Sequence, residues 1–168
     1  MPVDGVEMTT TLSPSAARVQ SLLDDIGLGH RVIEHEGSTR TSEDAANSVG
    51  CEVAQIAKSL IFRTKETGRP VLVVASGANR VDEKAVGRLL GEKIERADPE
   101  FVRESTGFAI GGVPPIGHAV PPLVLIDDDL LRLETIWAAA GTPNAVFRLT
   151  PADLVSMTGG RVETVRKA

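Results

Sequence analysis

Apolar residues recur at helical spacing in several stretches of the chain, and short apolar or alternating runs fill the gaps between them. Val19, Leu22, Leu23 and Ile26 follow Ser13-Pro14 at such spacing, and Gly27 or Gly29 ends the run. Ser13 is expected to cap the free amides of this first helix, and Pro14 supplies the preset φ of a first helical position. The same opening returns at Asp98-Pro99 and Thr150-Pro151, closed by Gly107 and Gly159. Thr41 followed by Asp44 resembles a capping box and predicts a helix up to Gly50, and residues 82–90 predict another that stops at Gly91.

Strand patterns fall between the helices. Val32-Ile33 is short, residues 59–63 and 71–75 flank the turn Glu66-Thr67-Gly68, and residues 123–126 are an unbroken apolar run. Residues 136–140 and 145–149 flank Gly141-Thr142-Pro143-Asn144, a second turn-rich connection. Residues 95–97 and 161–165 are weaker candidates. Two hairpins require antiparallel pairing, and helices and strands do not alternate strictly. The expectation is one α/β domain around a mixed, curved sheet, preceded by a loose leader over residues 1–12, with the domain covering residues 13–168.

Composition narrows the chemistry. A length of 168 residues suits one domain, and 42% apolar with 24% charged residues allows a packed core. Four Phe, one Trp and no Tyr leave little material for an aromatic platform under single-stranded nucleic acid. A net charge of −5 excludes a generally basic binder but not a local basic patch. The single Cys51 excludes a disulfide framework, and no Cys/His cluster has zinc spacing. The opening residues carry Asp4 and Glu7 and no signal-like apolar core, and no run approaches a membrane span, so the expectation is a cytoplasmic protein.

Several segments can carry chemistry. Gly111-Gly112-Val113-Pro114-Pro115-Ile116-Gly117-His118 cannot be a helix or a strand interior. Such a loop either is a rigid turn or presents backbone amides to a carbonyl or phosphate oxygen. It is neither GxGxxG nor a P-loop. Lys58 stands at the mouth of an apolar strand, as a solvated lysine or as an anion anchor. His118 can hydrogen-bond a substrate, whereas His30 and His35 are expected to face solvent. Asp127-Asp128-Asp129 looks superficially like a magnesium cluster and reads better as helix-capping acidity. Cys51 reads as a small, unreactive side chain, and no GxSxG elbow is present. The stretch Ser76-Gly77-Ala78-Asn79-Arg80-Val81-Asp82 follows a strand; it either contacts ligand or is a turn in which Asp82 caps the next helix.

These segments together resemble the YbaK/EbsC family, free-standing relatives of the editing domain inserted in bacterial prolyl-tRNA synthetases. The carrying pieces are Thr41-Ser42-Glu43-Asp44-Ala45-Ala46, Gln55-Ile56-Ala57-Lys58-Ser59-Leu60, Ser76 through Asp82, Thr106 through His118, and Ala140-Gly141-Thr142-Pro143. The resemblance spans residues 13–165 and implies a single-domain mixed, mainly antiparallel, barrel-like sheet with surrounding helices, and no metal or organic cofactor. It implies hydrolysis of the ester of a tRNA mischarged with a small amino acid. Lys58 matches the family's functional lysine, and residues 111–118 match the loop that bounds its aminoacyl pocket.

On that basis Lys58, Gly111, Gly112 and His118 are the expected catalytic group. Lys58 would pair with the terminal phosphate, the amides of Gly111 and Gly112 would hold the ester carbonyl, and His118 would polarise the pocket. Thr41, Ser76, Asn79, Arg80, Asp82, Val113, Pro114 and Gly117 are the expected substrate contacts. The expected partner is the acceptor end of aminoacyl-tRNA, delivered directly or by a synthetase or elongation factor, with no DNA and no membrane. A local positive rim would come from Arg40, Lys58, Arg63, Arg80, Lys84 and Arg88. The alternatives are a non-catalytic tRNA- or synthetase-binding module of the same fold, and a hydrolase of some other activated ester.

Overall fold

The structure, a computed structural model, describes residues 11–36 and 41–168. The chain runs α1 (Pro14–Ile26), β1 (Val32–Glu34), α2 (Ser42–Val49), β2 (Ile56–Thr64), β3 (Pro70–Ser76), α3 (Glu83–Leu90), β4 (Ile94–Arg96) and α4 (Pro99–Thr106). It continues through β5 (Leu123–Asp127), β6 (Ile136–Ala139), β7 (Ala145–Leu149), α5 (Pro151–Thr158) and β8 (Arg161–Glu163). Single 3-10 turns occupy Val53–Gln55 and Asp128–Arg132. Each helix ends on a glycine in the left-handed region: Gly27, Gly50, Gly91, Gly107 and Gly159. Thr41, Asp82, Asp98 and Thr150 accept the cap bonds of the four later helices.

Ser13 does not cap α1. Its amide and hydroxyl instead donate to the two carboxylate oxygens of Glu34, at 2.9 and 2.7 Å. Thr142 Oγ1 donates to the same carboxylate at 3.2 Å. Burial pushes the Glu34 carboxyl up, but the bonds from Ser13 and Thr142 outweigh it and hold it below its ordinary value. One side chain thus ties the start of α1 to β1 and to the β6–β7 turn. Residues 1–10 of the expected leader lie outside the described residues, whereas Leu12 packs against the main core.

The eight strands form one mixed sheet in the order β1-β7-β6-β2-β3-β5-β8, with β4 also on β2. Both expected hairpins are present as the antiparallel pairs β2–β3 and β6–β7. The sheet is not closed into a barrel, since β1 and β8 are its unjoined ends. It is mixed and mainly antiparallel, as expected; the parallel pairs are β2–β6, β3–β5 and β5–β8. A hairpin announces itself by its short turn, whereas a parallel partner arrives through a long crossover that leaves no local sign.

Strand β3 is buried along its whole length and divides two apolar layers. Leu72 and Val74 join Ala57 of β2 in the larger core beneath α1, α4 and α5. Val71, Val73 and Ala75 join Phe62 on the other face, covered by Val86 of α3. A third, small cluster seats Ala45 and Ala46 of α2 on Ile56 and Trp137. Fully burying a Val or Leu contributes about 1.5–3 kcal/mol, so this aliphatic core holds the sheet without the aromatic bulk that the composition lacks.

The functionally decisive feature is the free edge of β2. Strand β3 pairs with one edge from Ala57 to Arg63. On the other edge, β6 pairs only with Ile56 and Ala57, and β4 only with Phe62 to Thr64. The Ala97 amide after β4 still reaches the Ile61 carbonyl at 3.4 Å, so residues 58–60 face a gap between the two strands. The glycine-proline loop closes over that gap, with Val113 and Ile116 buried in the main core. Gly112 crosses the β6–β7 turn so closely that a Cβ would lie 2.7 Å from the Thr142 Cα, and its carbonyl accepts from the Gly141 amide at 2.8 Å. Gly112→Ala is therefore expected to lower stability by about 1–3 kcal/mol through overpacking against backbone. Thermal unfolding checks this, and an unchanged Tm would mean that the two loops are not locked at this crossing.

Candidate active site

Two clefts open at the gap in the sheet and share Lys58, Ser59, Leu60, Ile110, Gly111 and Val113 in their walls. The first, about 320 Å³, is walled mainly by apolar side chains, small ones such as Ala45, Ala57, Ala138, Ala139 and Val146 beside Ile56, Leu60 and Ile110, together with Thr41 and Ser42. Among the described residues, no carboxylate lines it. The chain's one tryptophan, Trp137, also lines this cleft. The second, about 510 Å³, mixes apolar walls with the cations Arg80, Arg96 and Lys167 beside Lys58.

Lys58 occupies the junction because of strand parity. It shares a face of β2 with Leu60 and Phe62, which pack toward the smaller core. Beyond that core its Nζ donates to the Asn79 carbonyl at 2.6 Å, leaving two of its three N–H groups for a ligand. Burial pushes the Lys58 ammonium below the ordinary lysine value; Glu43 and Asp127 pull it back up, and Arg80 opposes them.

The Asn79 carbonyl is held in turn from beneath. The Asn79 side-chain Nδ2 donates to Asp127 Oδ2 and Asp129 Oδ2, each at 2.8 Å. Asp127 is fully buried, and its carboxylate also accepts from the Ser76 amide at 3.0 Å and the Asp129 amide at 3.0 Å. A buried carboxylate is tolerable only with such saturation by donors. The acidic triplet thus caps its own 3-10 turn, as expected, and also organises the β3–α3 loop. Its three carboxylates lie within 4.8 Å of one another, but their oxygens already face Ser76, Asn79, Thr164 and Arg166.

The other expected site residues divide. Thr41, Arg80 and Val113 line the clefts with Lys58 and Gly111. Gly111 has φ +93, which the turn from Ala109 to Gly112 needs at its third residue. Its amide meets no acceptor among the described residues, while the Gly112 amide is engaged by the Ala109 carbonyl at 3.0 Å. Only one of the two expected amide donors is therefore free. Ser76 is buried, with its hydroxyl on the Ala54 carbonyl, and Asp82 caps α3 through the Ala85 amide. Pro114 is buried, and Gly117 packs against Leu22 of α1.

His118 lines neither cleft. Its Nε2 donates to the Pro114 carbonyl at 2.6 Å and cinches the loop, which leaves Nδ1 buried without a partner. Contrary to expectation, His30 is also buried, 3.0 Å from Asp153. Cys51 is partly buried, and burial pushes its thiol up, consistent with an inert side chain. Of the expected positive rim, Lys58 and Arg80 meet in the second cleft, whereas Arg63 faces Glu95, and Lys84 and Arg88 line an adjoining groove that shares Glu83 and Lys167 with that cleft. Arg40 lies outside the described residues. Arg96 and Lys167 were not anticipated, because an exposed cation at the end of a short strand or tail carries no motif. The Ser59 hydroxyl, buried without a partner at the junction, had no signal either.

A match to the aminoacyl-tRNA editing domain covers residues 36–157. The protein YwhH of Bacillus subtilis is 39% identical over 131 residues, 78% of this chain and 83% of that one. The "putative Cys-tRNA(Pro)/Cys-tRNA(Cys) deacylase EbsC" of Enterococcus faecalis is 28% identical over 122 residues, 72% of this chain and 74% of that one. A crystal structure described as a "putative trans-editing enzyme for prolyl tRNA synthetase" superposes with a TM-score of 0.89 at 49% identity, covering 94% of this chain and all of that one. The fold is that of an editing-type α/β domain. The chain belongs to the aminoacyl-tRNA editing domain family, the group that contains YbaK and EbsC.

Two outcomes follow from this geometry. Asp127→Asn replaces one acceptor by a donor facing donors, and is expected to cost about 1–3 kcal/mol per orphaned bond, read by chemical denaturation. Burial lowers the His118 pKa despite the raising effect of the Pro114 bond. Below the ordinary value of about 6.5 the unfolded chain takes up the proton first, so stability falls as pH drops toward the depressed native value and then levels. In urea titrations from neutral to mildly acid pH, His118→Gln should flatten that fall; an unaltered profile would assign the titration to other groups.

Proposed function

We propose that this protein hydrolyses the ester between a small amino acid and the 3′-terminal adenosine of a mischarged tRNA, acting as a separate editing domain. The observation that carries the reading is the junction itself. A largely apolar cleft and a cationic cleft meet at Lys58 and Gly111, matching the apolar and anionic halves of an aminoacyl-nucleotide. The deacylase and trans-editing descriptions of its relatives point the same way.

In this mechanism the amino-acid side chain enters the cleft lined by Ala45, Ala57, Ala138, Ala139 and Val146. A cleft of about 320 Å³, narrowed by Ile56, Ile110 and Trp137, favours a side chain of one or a few heavy atoms over a long one. The two remaining N–H groups of Lys58 hold the terminal phosphate and fix the ribose over the junction. The Gly111 amide donates to the ester carbonyl and to the oxyanion that forms when water attacks. The tetrahedral intermediate then collapses, the C–O bond to the ribose breaks, and the ribose oxygen takes the proton that water has lost. A substrate ribose hydroxyl relays that proton. An aminoacyl ester is activated enough that orientation and one preset donor serve without a nucleophilic triad.

The test is release of amino acid from a panel of aminoacyl-tRNAs. Turnover confined to small aminoacyl groups is expected, and binding without turnover would mark a non-catalytic module. Lys58→Ala should lower kcat/KM by about 10- to 100-fold, the worth of a charge-assisted contact. Because burial depresses the Lys58 pKa, the enzymatic rate should decline on the alkaline side at a lower pH than an ordinary lysine would dictate. Lys58→Arg should move that decline upward; wild-type turnover by Lys58→Ala would remove the lysine from the mechanism.

A further inference from the structure

We infer that the second cleft is a track for the phosphates of the nucleotides preceding the terminal adenosine, with Lys167 and Arg96 as its outer contacts. The inference rests on the editing reading above and extends the substrate from one esterified nucleotide to a length of RNA strand.

Four cations line this cleft, Lys58, Arg80, Arg96 and Lys167, against one carboxylate, Glu83. Glu83 already lies 3.6 Å from Arg96. The side chains of Arg80 and Lys167 meet no carboxylate within ion-pair distance among the described residues. In a protein of net charge −5, such a surplus along one groove marks where a polyanion is drawn.

Lys167 is held there by the fold. The segment after β8 forms an antiparallel bridge between Arg166 and Val81. The Asp82 amide donates to the Val165 carbonyl at 2.7 Å, and the Lys167 amide donates to the Arg80 carbonyl at 2.8 Å. Val165 is fully buried, and Arg166 is drawn to Asp128 at 2.8 Å and Asp129 at 3.4 Å. Neighbouring residues of an extended segment point to opposite sides. With Arg166 committed to the acidic triplet, Lys167 faces the cleft beside Arg80. The Thr164 hydroxyl bonds Asp128 at 2.7 Å and, with Arg166, holds the Asp128 carboxyl below its ordinary range, so the clamp persists at neutral pH.

The experiment is fluorescence anisotropy of a labelled, deacylated acceptor-stem minihelix with a single-stranded CCA end, across a salt series. Lys167→Gln and Arg96→Gln should each weaken binding and reduce the slope of log affinity against log salt by about 0.7, the loss of one single-strand phosphate contact. Lys167→Arg should restore the wild-type slope. Arg148→Gln, an exposed charge on β7 outside both clefts, should leave the slope unaltered. Wild-type slopes in both glutamine variants, or an equal loss in Arg148→Gln, would overturn the track. Hydrolysis of mischarged tRNA with unaltered slopes would reject the track and leave the editing reading standing. The expected slopes without hydrolysis of any aminoacyl-tRNA would do the reverse.

Discussion

A strand whose free edge is claimed by two partners that never meet governs this molecule. Strand β2 gives its first residues to β6 and its last to β4 and the residue after it, and residues 58–60 are left between them. An unpaired sheet edge is usually a liability, open to adventitious pairing. Here a loop stiffened by two prolines and pinned by buried Val113 and Ile116 covers it without pairing as a strand. The result is a cavity whose walls are a sheet edge and a locked loop, both rigid. Rigid walls suit a reaction that asks for orientation more than for exotic functional groups.

The charge distribution follows from the same economy of parts. The acidic triplet after β5 has no free face for a ligand, because its oxygens hold the loop bearing Asn79 on one side and the tail bearing Arg166 on the other. Each tether orients a cation that does face the clefts: Lys58 through the Asn79 carbonyl, and Lys167 through its neighbour Arg166. An acidic protein can thus offer a cationic groove, since its carboxylates serve as internal scaffolding where the cations are needed outside. The buried Asp127 is affordable for the same reason, with donors at both oxygens.

The site was legible in part. Lys58 stood out as a cation beginning an apolar strand, and Gly111 as part of a loop too rich in glycine and proline for regular structure. Both line the clefts. Gly112, Pro114, Gly117 and His118 belong to the same conspicuous loop but line neither cleft, and close packing and an internal hydrogen bond account for them. A glycine needed for a close backbone crossing and one needed to expose an amide look identical in sequence. Trp137 and Ser59 gave no sign of a role, and the gathering of Arg96 and Lys167 beside Lys58 joins residues from three distant parts of the chain.

Helix limits were readable because caps, prolines and left-handed glycines act within a few residues of themselves, and all five helices begin and end where that chemistry places them. Hairpins were readable for the same reason, as was family membership from short motifs in order. Tertiary structure alone decided that three strand pairs run parallel, that the sheet stays open, that Ser13 serves Glu34 rather than its own helix, and that His30 is buried. Each of those outcomes depends on which distant segment arrives at a given edge or carboxylate. That is settled by the burial of the whole aliphatic core, and no local stretch of residues encodes it.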